Sequence, residues 1–171
     1  KQALTQKSKI EKEKKSQDEL KKKEAEKKLA EFMQLIQELN AKGVSQWGNQ
    51  AYVEMIQLSQ EADRLLLESD YAAAAGKYAA AAASAQTLVD QIEPVLKQLL
   101  AEGQTAFDAG DSALAGQKFS TALMIEPDNR LARHLLQRSK NLDAVMQLLE
   151  KHFHYLVEYS FTSELEANLD R

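Results

Sequence analysis

Cysteine is absent from this sequence, which excludes disulfides, thiolate metal sites and a cysteine nucleophile. Two prolines and six glycines leave too little punctuation for the many turns of an all-β fold. No run of 18 apolar residues occurs, so nothing reads as a membrane-spanning helix. Residues 1–28 lack arginine and aromatic side chains, the two types that phosphate and base recognition favour. Nucleic acid is therefore a disfavoured partner. A Gly-rich phosphate loop, Gly-x-Ser-x-Gly and His-Glu-x-x-His are also missing.

What is present is helix-forming. Long stretches of Ala, Leu, Glu, Lys and Gln carry high summed helix propensity, and the expected fold class is all-α. Charge divides the chain. Residues 1–28 hold eleven lysines against six acidic residues, while the rest is net acidic. The expected organisation is a charged helical extension over 1–42, a linker over 43–49 and a helical repeat domain over 50–171. In the extension, Glu11–Lys15, Asp18–Lys22, Glu19–Lys23 and Glu24–Lys28 have the i,i+4 order that supports a solvated helix. Ile10 and Leu20 stand too far apart to form an apolar face, so a frayed, solvent-exposed lead-in over 1–28 that buries nothing is expected, with a basic arm for nucleic acid or anionic lipid as the other reading.

From Leu29 the pattern changes. Leu29, Phe32, Ile36 and Leu39 repeat at three- and four-residue spacing, an apolar stripe on one helix face. That helix should stop near Asn40, ahead of Lys42-Gly43-Val44-Ser45, and Trp47 should anchor the linker. Further helices are expected over about 50–68, from Tyr71 to about Asp90, from Pro94 in a first turn to Gly110, and on to Ile125. A long helix over 130–158 and a short one from about Ser160 complete the reading.

Residues Leu99 to Asn129 show the signs of a repeat. Gly103, Gly110-Asp111, Ala115, Phe119, Ala122 and Pro127-Asp128-Asn129 supply small residues for close helix approach, a large one to fill the gap, and turn chemistry. This stretch resembles the tetratricopeptide-repeat family, including its Ala-x-x-x-Phe pair and terminal proline. An earlier copy aligns without gaps through Ala62, Ser69-Asp70-Tyr71, Ala74, Tyr78 and Ala81. A fainter third would turn at Tyr159-Ser160-Phe161, with Glu164 and Asn168 in place of the small and aromatic residues. The two good copies stand 41 residues apart rather than the family's ~34, so lengthened helices are expected. The resemblance implies an antiparallel helix-hairpin array coiled as a right-handed α-solenoid.

The search for chemistry returns little. His152 and His154 lie about 200° apart on a helix and cannot share a metal as i,i+4 histidines do. No catalytic residue, cofactor or metal site is expected. The resemblance instead implies a partner-binding groove formed by Ile56, Ser59, Asp63, Leu66 and Leu67 in the first copy. Lys97, Leu100, Gln104, Phe107 and Asp108 follow in the second, then Leu131, His134, Arg138 and Asn141. Relatives that grip a terminal carboxylate use Lys and Asn where this chain has Ser59 and Asp63. Asp63 would repel a carboxylate, so an apolar or basic segment suits the groove better.

The resemblance thus implies a non-enzymatic scaffold for a peptide or partner domain. The rival expectation is a structural homo-oligomer, assembled through the 24–42 helix and the Ala-rich surface. The chain opens on Lys1, and the expected setting is the soluble part of a membrane-anchored or cell-envelope protein. Any membrane contact would lie in a segment outside these residues.

Overall fold

The computed structural model describes the backbone of residues 2–169 and the side chains of residue 6 and residues 9–157. The chain is all-α. Its helices are α1 (Gln2–Ala41), α2 (Val44–Trp47), α3 (Asn49–Leu67), α4 (Tyr71–Asp108), α5 (Ser112–Ile125) and α6 (Arg130–Leu169). Packing divides these elements into two compact units, residues 1–95 and 96–171. In the first unit α1 packs against the helices that follow it. Ala25 is fully buried with Ala62, Ala74 and Tyr78, and Leu29 packs against the same cluster. The lead-in over residues 1–28 was expected to bury nothing, yet Ala25 is small enough to let α1 settle onto α3 and α4. Ile10 and Leu20 stay exposed, as their isolation implied.

The expected linker is a tight helical turn. Gly43 takes a left-handed φ of 65°, α2 follows, and Trp47 is buried with its Nε1 donating to the Lys42 carbonyl at 2.8 Å. Trp47 thereby anchors the segment, as the sequence suggested.

In the first unit, α3 and the start of α4 pack side by side across a three-residue turn. Ser69 adopts φ 63°, and the Asp70 carboxylate caps α4 by accepting from the Ala73 amide at 3.2 Å. Tyr78, Ala74 and Ala81 are buried behind that turn. In the second unit the end of α4 and α5 repeat the arrangement. Gly110 adopts φ 83°, Asp111 accepts from the Leu114 amide at 2.9 Å, and Ala115, Phe119 and Ala122 are fully buried.

Two expected breaks are absent. Pro94 lies inside α4 rather than opening a new helix. An interior proline forfeits one backbone hydrogen bond, but Gln91-Ile92-Glu93 supplies no glycine or cap to end the helix, and Pro94 is exposed. Likewise Tyr159-Ser160-Phe161 is not a turn, since α6 runs through it to Leu169. That tripeptide has neither Gly nor Pro to break the pattern. The side chains of Glu164 and Asn168, in the faint third copy, lie outside the described residues.

In the second unit α6 turns back along α5 after Pro127-Asp128-Asn129. Asn129 caps α6 through the Ala132 amide at 2.9 Å. Ala132, Leu135 and Ser139 are buried, and Ser139 Oγ donates to the Leu135 carbonyl at 2.9 Å, which hides its polarity within the helix. Ser112 Oγ donates to Asp143 Oδ1 at 3.2 Å, tying the start of α5 to α6.

Candidate functional site

The two hairpins share more than their cores. Lys77 pairs with Glu61 at 2.5 Å in the first, and Lys118 pairs with Glu102 at 2.6 Å in the second. Each pair bridges the two helices of its hairpin from the same relative positions, 41 residues apart. The lysine ammonium hydrogen-bonded to each carboxylate holds the pKa of Glu61 and Glu102 below the usual value. Glu31 is lowered in the same way by Lys28. The first two shifts belong to ion pairs that link neighbouring helices, and the Glu31 shift to a pair within α1.

The hairpins differ at their centres. In the second, the Phe119 ring rests on Gly103, where a Cβ would come within 2.6 Å of it. In the first, Ala62 takes the glycine's place and Tyr78 the phenylalanine's, with the Tyr78 hydroxyl donating to Asp63 Oδ1 at 2.5 Å. Burial, and then the Asp63 carboxylate, push the Tyr78 phenol well above its usual pKa.

The expected groove residues of the first copy divide by exposure. Leu67 is 87 % exposed, and Asp63 is exposed with its carboxylate engaged by Tyr78. Ile56 is half-buried, and Leu66 packs against the core cluster. Ser59 is buried and its hydroxyl donates to the Ile56 carbonyl at 2.8 Å, so it presents no free group to a ligand.

The second copy gathers its residues more closely. Leu100 and Phe107 lie half-buried against Ala106, Ala115, Phe119 and Leu135. The Arg138 guanidinium of α6 stands over the Phe107 ring, 4.8 Å from its centroid, a cation–π contact. Gln104 Nε2 donates to Asp108 Oδ1 at 2.7 Å, and Asn141 accepts from Gln137 Nε2 at 3.1 Å. Lys97, Leu131 and His134 are exposed. Phe107, a groove residue of the sequence reading, is half-covered, and Arg138 caps it. The surface left to a ligand is the guanidinium, the ring edge and the Gln104–Asp108 pair.

Two features of the second unit were not singled out from sequence. One is an open depression of about 590 Å³ lined by Ala101, Thr105, Ala109 and Leu114, with the Glu102–Lys118 pair beside it. Its signal was small residues at i, i+4 and i+8. The other is a run of exposed apolar residues on α6 beyond Asp143, legible in the sequence as Val145, Met146, Leu148 and Leu149.

Among the described residues there is no cluster of three or more potential metal ligands and no helix long and apolar enough to cross a membrane. No family model, curated protein or solved structure matches the chain.

Proposed function

We propose that this protein is a non-enzymatic interaction scaffold of the tetratricopeptide-repeat type, its hairpins coiled as a right-handed array, binding a peptide or partner domain. The observation that carries this reading is the recurrence, 41 residues apart, of the inter-helix ion pair, the aspartate cap, the left-handed turn residue and the buried aromatic. Repetition of a whole hairpin with its fastenings is how solenoid proteins extend a binding surface.

Within the second unit, Arg138, Phe107, Gln104 and Asp108 form the binding surface, with Leu100 as its apolar floor and Lys97 and Asn141 at its margins. A partner side chain that is apolar would cover the Phe107 edge, and a basic one would meet Asp108. In the first unit Leu67, Leu66 and Asp63 offer the same pairing of apolar surface with a carboxylate. The shifted groups Glu31, Glu61, Glu102 and Tyr78 each have a structural partner, in Lys28, Lys77, Lys118 and Asp63.

The test is selection of binders from a random peptide library on the wild-type chain, with counter-selection on Arg138→Glu/Asp108→Lys. Both substituted residues are exposed, so helicity should be preserved. The reading expects enriched peptides rich in apolar and basic residues that bind the variant at least tenfold more weakly. Equal binding to both chains, with the variant folded, would remove the site.

A further inference from the structure

The first half of α6 packs along α5, and among the described residues beyond Asp143 the apolar side chains stand exposed. Leu135 and Ser139 are buried where α6 lies along α5, and the Ser112–Asp143 hydrogen bond marks where α5 begins. Beyond Asp143 the helix continues to Leu169, about 39 Å at 1.5 Å per residue. Along it Leu148 is 67 % exposed and Phe153 is 70 %, with Val145, Met146, Leu149 and Leu156 each about half exposed. Such a continuous apolar surface on a helix of a soluble unit marks an interaction site.

The face has the pattern of a helix pair. Leu135, Ser139, Leu142, Met146, Leu149, Phe153 and Leu156 step alternately by four and three residues, the spacing that keeps one seam facing a neighbouring helix. Its first members seat against α5, and Met146, Leu149, Phe153 and Leu156 stand exposed. At 100° per residue the apolar side chains span an arc of about 200°, while Asp143, Gln147, Glu150, Lys151 and His154 occupy the remainder.

We propose that this distal face of α6 is a homodimer interface, with the α6 helices of two copies packed on one another about a two-fold axis. Two observations favour a second copy over an unlike partner. The exposed apolar side chains of residues 145–156 offer several hundred Å² per copy, on the order of the roughly 800 Å² that each partner buries in a standard stable interface. In addition, a self-docked patch sets its own chemistry against itself. The apolar arc contains no Asp, Glu, Lys or Arg, and its titratable side chains are the His152 imidazole and the Tyr155 phenol, so self-contact meets no fixed like-charge repulsion. The inference does not depend on the peptide-binding reading. It also moves self-assembly away from the Ala-rich surface, because Ala74, Ala75, Ala81 and Ala85 are buried inside the first unit.

Light scattering coupled to size separation, over roughly 10–200 µM chain, reads the outcome. The wild type should show twice the 19.2 kDa chain mass, and Leu149→Glu/Leu156→Glu should show the chain mass with its helical signal retained. Arg138→Glu should remain dimeric, which separates failure of this interface from failure of the binding surface. A wild type monomeric throughout overturns the proposal and leaves the face to an unlike partner; a variant that stays dimeric overturns it by placing the seam elsewhere. Should the double variant lose its helix, the cysteine-free background provides a second readout. At least one of Met146→Cys, Leu149→Cys and Phe153→Cys should form a covalent dimer under mild oxidation while Lys151→Cys does not. Failure of all three would contradict the seam.

Discussion

The ring of Phe119 occupies the space that a side chain at Gly103 would need, with Cε1 2.6 Å and Cδ1 2.9 Å from the position of a Cβ. This relationship sets how closely α4 and α5 approach. It also opposes two ordinary effects of replacing a helical glycine by alanine. Gly103→Ala gains up to about 1 kcal/mol of helix propensity but overpacks the core by about 1–3 kcal/mol, and net destabilisation is expected. Gly76, in α4 with nothing within 4 Å of its Cβ position, should show the opposite sign: Gly76→Ala stabilises by about 0.5–1 kcal/mol. Denaturant midpoints of the two variants check both signs. A stabilising Gly103→Ala would mean that the helices can move apart at no cost.

The turn residues make a second pair. Ser69 and Gly110 hold equivalent positions with φ of 63° and 83°, a region that L side chains enter at a cost of about 1–2 kcal/mol. Ser69→Gly should therefore raise stability by up to about 1 kcal/mol, and Gly110→Ala should lower it by about 1–2 kcal/mol. Thermal melts of the single variants would measure this, and equal signs would contradict it.

Tyr78 gives the fold an alkaline sensitivity. Its folded pKa is raised above the usual phenol value of about 10, so the native state favours the neutral phenol. The stability held by that phenol is fully present below pH 10 and is lost as pH rises above it, by at most about 1.4 kcal/mol per unit until the folded pKa is reached. At pH 7, Tyr78→Phe should cost about 0.5–1.5 kcal/mol through loss of the hydroxyl's bond to Asp63. Near pH 11 the gap should close or reverse. Urea titrations of both chains at the two pH values test this, and a gap independent of pH would remove the phenol as its cause.

Much of the local structure was legible because it rests on local chemistry. Asp111 and Asn129 cap the helices they precede, Gly43 and Gly110 turn through left-handed φ, and Ala74, Ala81, Ala115 and Ala122 lie at the close contacts. The misses came where sequence signals were overridden or silent. Pro94 suggested a boundary, but helix propensity on both sides carried α4 through it. Tyr159-Ser160-Phe161 was matched to a turn by alignment alone, without a residue that forces one. The candidate surface was legible in part. The resemblance placed Gln104, Phe107 and Asp108 together in the groove, yet the Arg138 guanidinium over Phe107 depends on how α6 returns along α5. Ser59 had a face assigned to it but no burial, and its hydroxyl closes on its own helix.

The most direct test of the proposed function is backbone amide chemical-shift mapping of the chain titrated with a library-selected peptide. The account predicts perturbations concentrated on Leu100–Asp108 and Arg138–Asn141, with helical content unchanged and the same peptide silent on Arg138→Glu/Asp108→Lys. Perturbations confined to α6 beyond Asp143, or none at saturating peptide, would contradict a binding surface built on Phe107 and Arg138.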